Sequence, residues 1–306
     1  MIAALSALTT LALAATSAVA APIIDKRAAT APGINDTVIL QYALTLEHLE
    51  NTFYHDALGK FDAAAFSAAG FPDWVRNRFE QVASDEASHV AFLTTALGAD
   101  AVAAGNYTFP YTDPASFAAL ASVIENVGVS AYLGAAEYIS TPEYLTAAGS
   151  ILTTEARHQA WISSAVDKAN PWSSPYDTPL GFDEVYSLVA PFITSMPASN
   201  PTLPVMAYPS LTASSSVPGS TSQLAYTDST TTEKYLLIFY GLSTVAVPIN
   251  SDKTVTIPAE VLGTAYGVVS SSNNVTVVDA TAFVAGPVIL LNPFPSATMI
   301  MDGAGQ

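Results

Sequence analysis

The chain has 306 residues, with 26 acidic against 9 basic side chains, four histidines and no cysteine. A net charge of −17 argues against nucleic acid as a partner, because phosphate binding needs clustered Lys and Arg. Without cysteine there is no disulfide framework, thiolate zinc site or thiol nucleophile, so any metal must be held by Asp, Glu, His or Tyr.

Residues 1–20 form an apolar run that closes on Ala18-Val19-Ala20, the small-x-small pattern of a signal peptide, although no base precedes the run. Residues 21–27 then read as a propeptide-like segment ending at the dibasic Lys26-Arg27. Acceptor sequons at Asn35, Asn106 and Asn274 agree with export, so the expectation is a secreted glycoprotein, extracellular or in the cell wall. No later run reads as a membrane span, since the apolar stretch near 281–292 is short and carries Gly286 and Pro287.

Residues 36–196 read as a helical domain. Asp36 is placed to cap a first helix reaching about Leu58, with Ile39, Leu40, Ala43 and Leu46 at helical spacing. Asp73 starts a second helix that ends at Leu97-Gly98, Asp113-Pro114 opens a third, and Thr141-Pro142 opens a fourth that closes at Asn170-Pro171. Four such helices predict a bundle. The aperiodic stretch 99–112 reaches on the order of 45 Å when extended, against roughly 36 Å for a 24-residue helix. It is therefore long enough to cross the bundle end to end. A short helix is expected at about 181–193, then a Ser/Thr/Pro-rich linker over 197–230. From 231 to 306 short β-rich runs alternate with turn residues: 235–240, 254–258, 264–271, 274–279 and 286–292. That pattern predicts a small β-sandwich, read as a packing and docking module.

Two of the four histidines sit three residues after a glutamate inside predicted helices: Glu86-Ala-Ser-His89 and Glu155-Ala-Arg-His158. The i, i+3 spacing puts both side chains on one helix face, and carboxylate beside imidazole is a ligand pair for iron, manganese or zinc. The alternative is two intrahelical pairs on a wet surface. In the first and third helices Glu47 and Tyr54 are seven residues apart, as are Glu125 and Tyr132, so each tyrosine shares a face with its glutamate. Glu50 competes with Glu47 for the first-helix position, and otherwise stands close behind it. Tyr54 and Tyr132 read either as core residues or as donors to the carboxylates. His48 and His55 lack the preceding glutamate and read as rim residues. Four glutamates and two histidines would make a site holding two divalent ions electrically neutral, and so tolerable in a buried core.

These strings, with LEHLENTFY (46–54) and ENVGVSAYLGAA (125–136), resemble the ferritin-like superfamily of di-iron and di-manganese carboxylate proteins, and within it the secreted fungal stress-response and plant desiccation-related ferritin-like family. The resemblance covers about 36–170. It implies a ferritin-like four-helix bundle, mainly α with a β appendage, holding two Fe or Mn ions. It also implies that Glu47, Glu86, His89, Glu125, Glu155 and His158 are the six ligands, with Glu86 and Glu155 bridging. Such sites often carry an aspartate before the Glu-x-x-His glutamate; Asp85 fits and is placed to orient His158, whereas Thr154 takes the matching place before Glu155. The implied activity is catalase-like or ferroxidase-like chemistry on peroxide or dioxygen, with Tyr54 and Tyr132 as the chemistry-bearing tyrosines. The partners are then metal ions and small oxidants. The alternatives are metal binding without turnover and a scaffold that contacts the cell wall through its β-rich part.

Overall fold

The computed structural model describes residues 33–228 and 232–294, so the expected leader and the segment up to Lys26-Arg27 lie outside the described residues. Helix α1 (Asp36–Lys60) is capped by Asn35, whose side chain accepts from the Val38 amide. This corrects the assignment of the cap to Asp36. The Asp36 carboxylate instead accepts from the amides of Ser140 and Thr141, at 2.8 and 2.9 Å, and so ties the start of α1 to a distant helix connection. A short helix, α2 (Ala63–Ala68), was not anticipated; it is capped by Asp62 and buries Phe66. Helix α3 (Asp73–Leu97) stops at Gly98, whose positive φ suits glycine. Helix α4 (Pro114–Ala135) opens on a reciprocal cap between Asp113 and Ser116. Helix α5 (Pro142–Trp161) continues into a wider π-type turn over Ile162–Val166, and α6 (Phe182–Val189) follows a loop.

The segment between α3 and α4 runs along the whole of α1. Near its start the Asp100 carbonyl accepts from Gln41, and Val102 meets His48; further on Phe109 packs on Phe53, and Tyr111 accepts from Lys60. Helix α4 therefore begins at the same end of the bundle as α3, as the length of 99–112 predicted. Among the described residues one helical stretch, Pro114–Tyr138, has the length and mean hydropathy of a membrane span. Most of it is buried inside the bundle, and its Glu125 is fully buried.

The antiparallel pair β1 (Asn106–Tyr107) and β2 (Ile193–Ser195) fastens this crossover to the chain after α6. Two sheets follow. Strands β3 (Thr212–Ala213), β4 (Thr221–Ala225) and β7 (Thr254–Thr256) make a small one. The larger is antiparallel, in the order β6 (Ser243–Pro248), β5 (Tyr235–Tyr240), β8 (Gly263–Ser270), β9 (Phe283–Asn292). Residues 197–230 are thus not a plain linker, because β3 and β4 lie within them, drawn into the small sheet by the alternating burial of Ser222 and Leu224. The run 274–279 is not a strand: the Asn274 side chain accepts from the amides of Thr276 and Val277, which makes a local turn.

The β-rich part is also not an appendage joined only by chain. Alternation along β5 sends Leu236 and Ile238 into a core shared with Leu224 and Val255 of the small sheet. The opposite face, with Leu237, Phe239, Tyr266 and Val268, belongs to one hydrophobic core with the helices. At that junction the Tyr266 hydroxyl bonds Ser130 Oγ at 2.9 Å and donates to the Asn126 carbonyl of α4. Strand β8 is buried along its whole length, and its sequence GTAYGVVS carries no charged residue.

Close packing of this kind gives one substitution opposite effects at two helical glycines. A β-carbon on Gly134, in the last turn of α4, would stand 1.8 Å from the Leu180 carbonyl oxygen, whereas one on Gly149 of α5 meets nothing within 4 Å. Gly134→Ala is expected to destabilise the protein by about 1–3 kcal/mol through forced backbone movement. Gly149→Ala is expected to stabilise it by roughly 0.5–1 kcal/mol through helix propensity. Urea denaturation of both variants checks the pair; equal effects would contradict the packing.

Candidate metal centre

Each long helix contributes to one point in the bundle interior: α1 supplies Glu47, α3 supplies Glu86 and His89, α4 supplies Glu125, and α5 supplies Glu155 and His158. The four carboxylates have no solvent exposure, and His158 is 7% exposed. His89 approaches Glu86 and Glu155 at 3.1 Å and Glu47 at 3.3 Å, all through Nδ1. His158 Nδ1 approaches Glu86 at 3.1 Å and Glu125 at 3.5 Å. The two imidazole centroids are 6.5 Å apart. Glu86 spans the pair, with Oε2 toward His89 and Oε1 toward His158.

The atoms fall into two sets, Glu47, Glu86, His89 and Glu155, and Glu86, Glu125, Glu155 and His158. Within each set, one nitrogen or oxygen per residue lies within 4.8 Å of the others. Glu86 and Glu155 belong to both, while each remaining glutamate pairs with one histidine. The six residues singled out by spacing and resemblance therefore converge, and the wet-surface alternative does not describe them.

The tyrosines are placed differently from the pattern's simplest reading. Glu47 and Tyr54 share a face of α1, as Glu125 and Tyr132 share one of α4, but the bonds cross between helices. Tyr54 donates to Glu125, and Tyr132 donates to Glu47 at 2.5 Å. Burial raises both phenols well above their ordinary pKa, helped by the carboxylate each one meets, so both stay protonated donors. Behind His158, Nε2 meets Asp85 Oδ2 at 3.1 Å, which fixes which ring nitrogen faces the cluster. Thr154 gives its hydroxyl back to the Ser150 carbonyl, so the position matching Asp85 supplies no carboxylate behind His89. His48 bonds the Val102 carbonyl and His55 is exposed, both away from the cluster.

Glu50 is a fifth buried carboxyl, 4% exposed, lying on α1 beside Gly128 of α4. A β-carbon on Gly128 would come within 2.9 Å of Glu50 Oε1 and 3.3 Å of Glu155 Oε2. The role of Gly128 was not legible in the sequence; a glycine inside an apolar helix, one turn after Glu125, was its only signal.

Burial dominates the electrostatics. It pushes Glu50 and Glu155 well above the carboxylate range, with repulsion from neighbouring glutamates added, and lifts Glu47 to about 7. Burial alone would lower both imidazoles, but bonding to the surrounding carboxylates outweighs it, raising His89 and pushing His158 up to about 11. Even so, Glu47 Oε2, Glu86 Oε1, Glu125 Oε2, both Glu155 oxygens and His158 Nδ1 are buried without a well-aligned hydrogen bond; all but Glu155 Oε2 meet only another member of the cluster, at 3.1–3.5 Å. Buried oxygens and nitrogens without a good hydrogen bond are costly, and they are the donor set that iron, manganese or zinc accepts. The residues therefore fit a pair of divalent ions.

Comparison with known proteins agrees with this geometry. Residues 35–168 match the family described as a ferritin-like domain. The chain is 27% identical over 172 residues to Protein rds1 of Schizosaccharomyces pombe, a match that spans 56% of this chain and 42% of that protein. Residues 35–168 thus have the helices and the sequence of a ferritin-like domain, and the chain is similar over that region to a fungal protein.

Proposed function

We propose that the protein binds two iron or manganese ions, Glu47 and His89 holding one and Glu125 and His158 the other, with Glu86 and Glu155 shared between them. The observation that carries this reading is the pair of overlapping four-residue sets, whose buried donor atoms face one another with few well-formed hydrogen bonds. The bound ions would supply two-electron chemistry on peroxide or dioxygen, or oxidation of the metal itself. The chain's own residues do the rest. Asp85 holds His158 with Nδ1 turned to the cluster, and the two phenols hold the terminal carboxylates from across the bundle. The aromatic packing of Phe53, Phe79 and Phe117 around Tyr54 keeps that side dry. Action outside the cell is part of the proposal, supported by the leader-like residues 1–20 and by the exposure of Asn35, Asn106 and Asn274.

Metal binding without turnover is the second reading, favoured by Thr154, which leaves His89 less firmly oriented than His158. Contact with the cell wall through the β-rich part has less support, because among the described residues the larger sheet has apolar side chains packed on both faces, and the clear alternation of exposed and buried positions is confined to β4 of the small sheet.

Metal analysis of the purified protein is expected to give two Fe or Mn ions per chain, and fewer than one for Glu86→Ala/Glu155→Ala. Less than one ion in the parent protein would reject the proposal. Peroxide or oxygen consumption by the loaded protein, absent from the double variant, separates turnover from storage.

Burial holds the Glu155 carboxyl protonated in metal-free protein near neutral pH, so its neutral amide counterpart is expected to be tolerated there. Glu155→Gln should change metal-free stability by less than about 1 kcal/mol in denaturant titration while abolishing the rise in Tm that metal gives the parent. A loss of more than about 3 kcal/mol would show that Glu155 is ionised and paired in the metal-free core.

Affinity is expected to rise with pH. The raised imidazole pKa values mean that both rings carry a proton at neutral pH in the metal-free state, and each must lose it to bind. Loading both ions should release at least these two protons, so the overall association constant grows roughly 100-fold per pH unit between about pH 6 and 8. Competition titration with a chelator at several pH values measures the slope, and a flat profile would show that the histidines are not ligands.

A further inference from the structure

Beside the carboxylate cluster, between α1, α4, α6 and β9, lies a cavity of about 80 Å³. Its walls are apolar, with Leu49, Ile124, Val127, Leu188, Val189 and Ile289 among them, and Glu50 is its only polar side chain. Glu50 is 4% exposed, and its Oε2 has no hydrogen-bond partner. Gly128 lines the same space and separates it from Glu155 by backbone alone, since a β-carbon there would crowd both Glu50 and Glu155.

These observations discriminate between occupants. A water molecule needs two to four polar partners to be held in a buried site, and here one carboxyl is offered. A purely apolar gas would fit the walls and leave Glu50 unpaired. A small molecule with an apolar body and one hydroxyl or hydroperoxyl end satisfies both, because an O–H group donates and accepts and so pairs with a carboxyl in either protonation state. A dry apolar cavity of 150 Å³ admits benzene, so this smaller space suits a body of roughly three or four carbon atoms.

We propose that this cavity is a binding chamber for small monohydric alcohols or alkyl hydroperoxides, with Glu50 holding the oxygen end and Gly128 opening the way toward the cluster. The choice of hydroperoxide as the reacting member of this class rests on the reading of the cluster as a peroxide- or oxygen-active metal centre. The β-rich part acquires a role here, because Ile289 of β9, with Leu188 and Val189 of α6, closes the chamber from the side away from α1 and α4.

The test uses full-length, metal-loaded protein with 1-propanol, tert-butyl hydroperoxide and xenon as probes. Binding of 1-propanol is followed by saturation-transfer NMR, and the positions of 1-propanol and xenon are read from soaked and pressurised crystals. Both should occupy the chamber. Glu50→Leu should weaken 1-propanol at least tenfold and leave xenon in place. Leu188→Phe should exclude both while keeping the parent's metal content, with Val189→Phe as the alternative if the first variant folds poorly. Tighter binding of tert-butyl hydroperoxide than of hydrogen peroxide to the parent, lost in Leu188→Phe, assigns the hydroperoxide as substrate class. Unchanged 1-propanol affinity in Glu50→Leu, or probes found only outside the chamber, would overturn the proposal. Protein that carries its metal but leaves the chamber empty sinks this inference alone, whereas protein that seats 1-propanol yet takes up less than one Fe or Mn ion per chain when metal is supplied sinks the reading of the cluster.

Discussion

The organising constraint of this molecule is five carboxyl groups and two imidazoles enclosed in an apolar bundle, where unpaired charge is hardest to keep. No single helix could carry that load. The chain spreads it over four, so that each imidazole lies among two or three carboxylates, and each terminal carboxylate receives a phenol from the helix opposite. The cluster retains several buried atoms without a well-aligned hydrogen bond. A core selected for stability alone would have replaced them with aliphatic side chains. Their retention is the physical sign that the interior is shaped around something it binds.

Much of this was legible in the sequence because the chemistry is repetitive. Two Glu-x-x-His pairs and two glutamate–tyrosine pairs, each at helical spacing, placed six donor residues on four faces, and helix punctuation by Gly98, Asp113-Pro114 and Thr141-Pro142 placed the helices around them. Where the reading failed, the deciding contacts were distant in sequence. Asp36 has a cap residue's chemistry, yet its carboxylate is claimed by Ser140 and Thr141, leaving the cap to Asn35. The crossing of the tyrosine bonds depends on how α1 meets α4, which periodicity within either helix does not encode. Strands β3 and β4 are hidden among Ser and Thr because only alternate residues face the core, and the run at 274–279 has strand composition but a local asparagine turn.

The relation between the two halves was the least legible feature. A Ser/Thr/Pro-rich stretch looks like a flexible spacer, and a string of β runs after it looks like a separate module. What joins them is the second face of the larger sheet, whose apolar residues a sandwich alone would not require. Leu237, Phe239, Tyr266 and Val268 are explained only by the helices they touch, and the Tyr266 hydroxyl by the backbone of α4 that it reaches. The ferritin-like domain defined by residues 35–168 is thus narrower than the unit that packs as one core.

Strand β8, enclosed on both sides, carries a dynamic consequence. Its neighbour β9 forms part of the wall near Glu50, and α4, which bears Glu125 and Gly128, holds β8 through Tyr266. Partial opening of a fold proceeds in cooperative blocks that follow shared packing rather than sequence order. Opening of the C-terminal strands would therefore remove part of the wall beside Glu50, which ties solvent access at the carboxylate core to residues more than a hundred positions downstream of the last histidine.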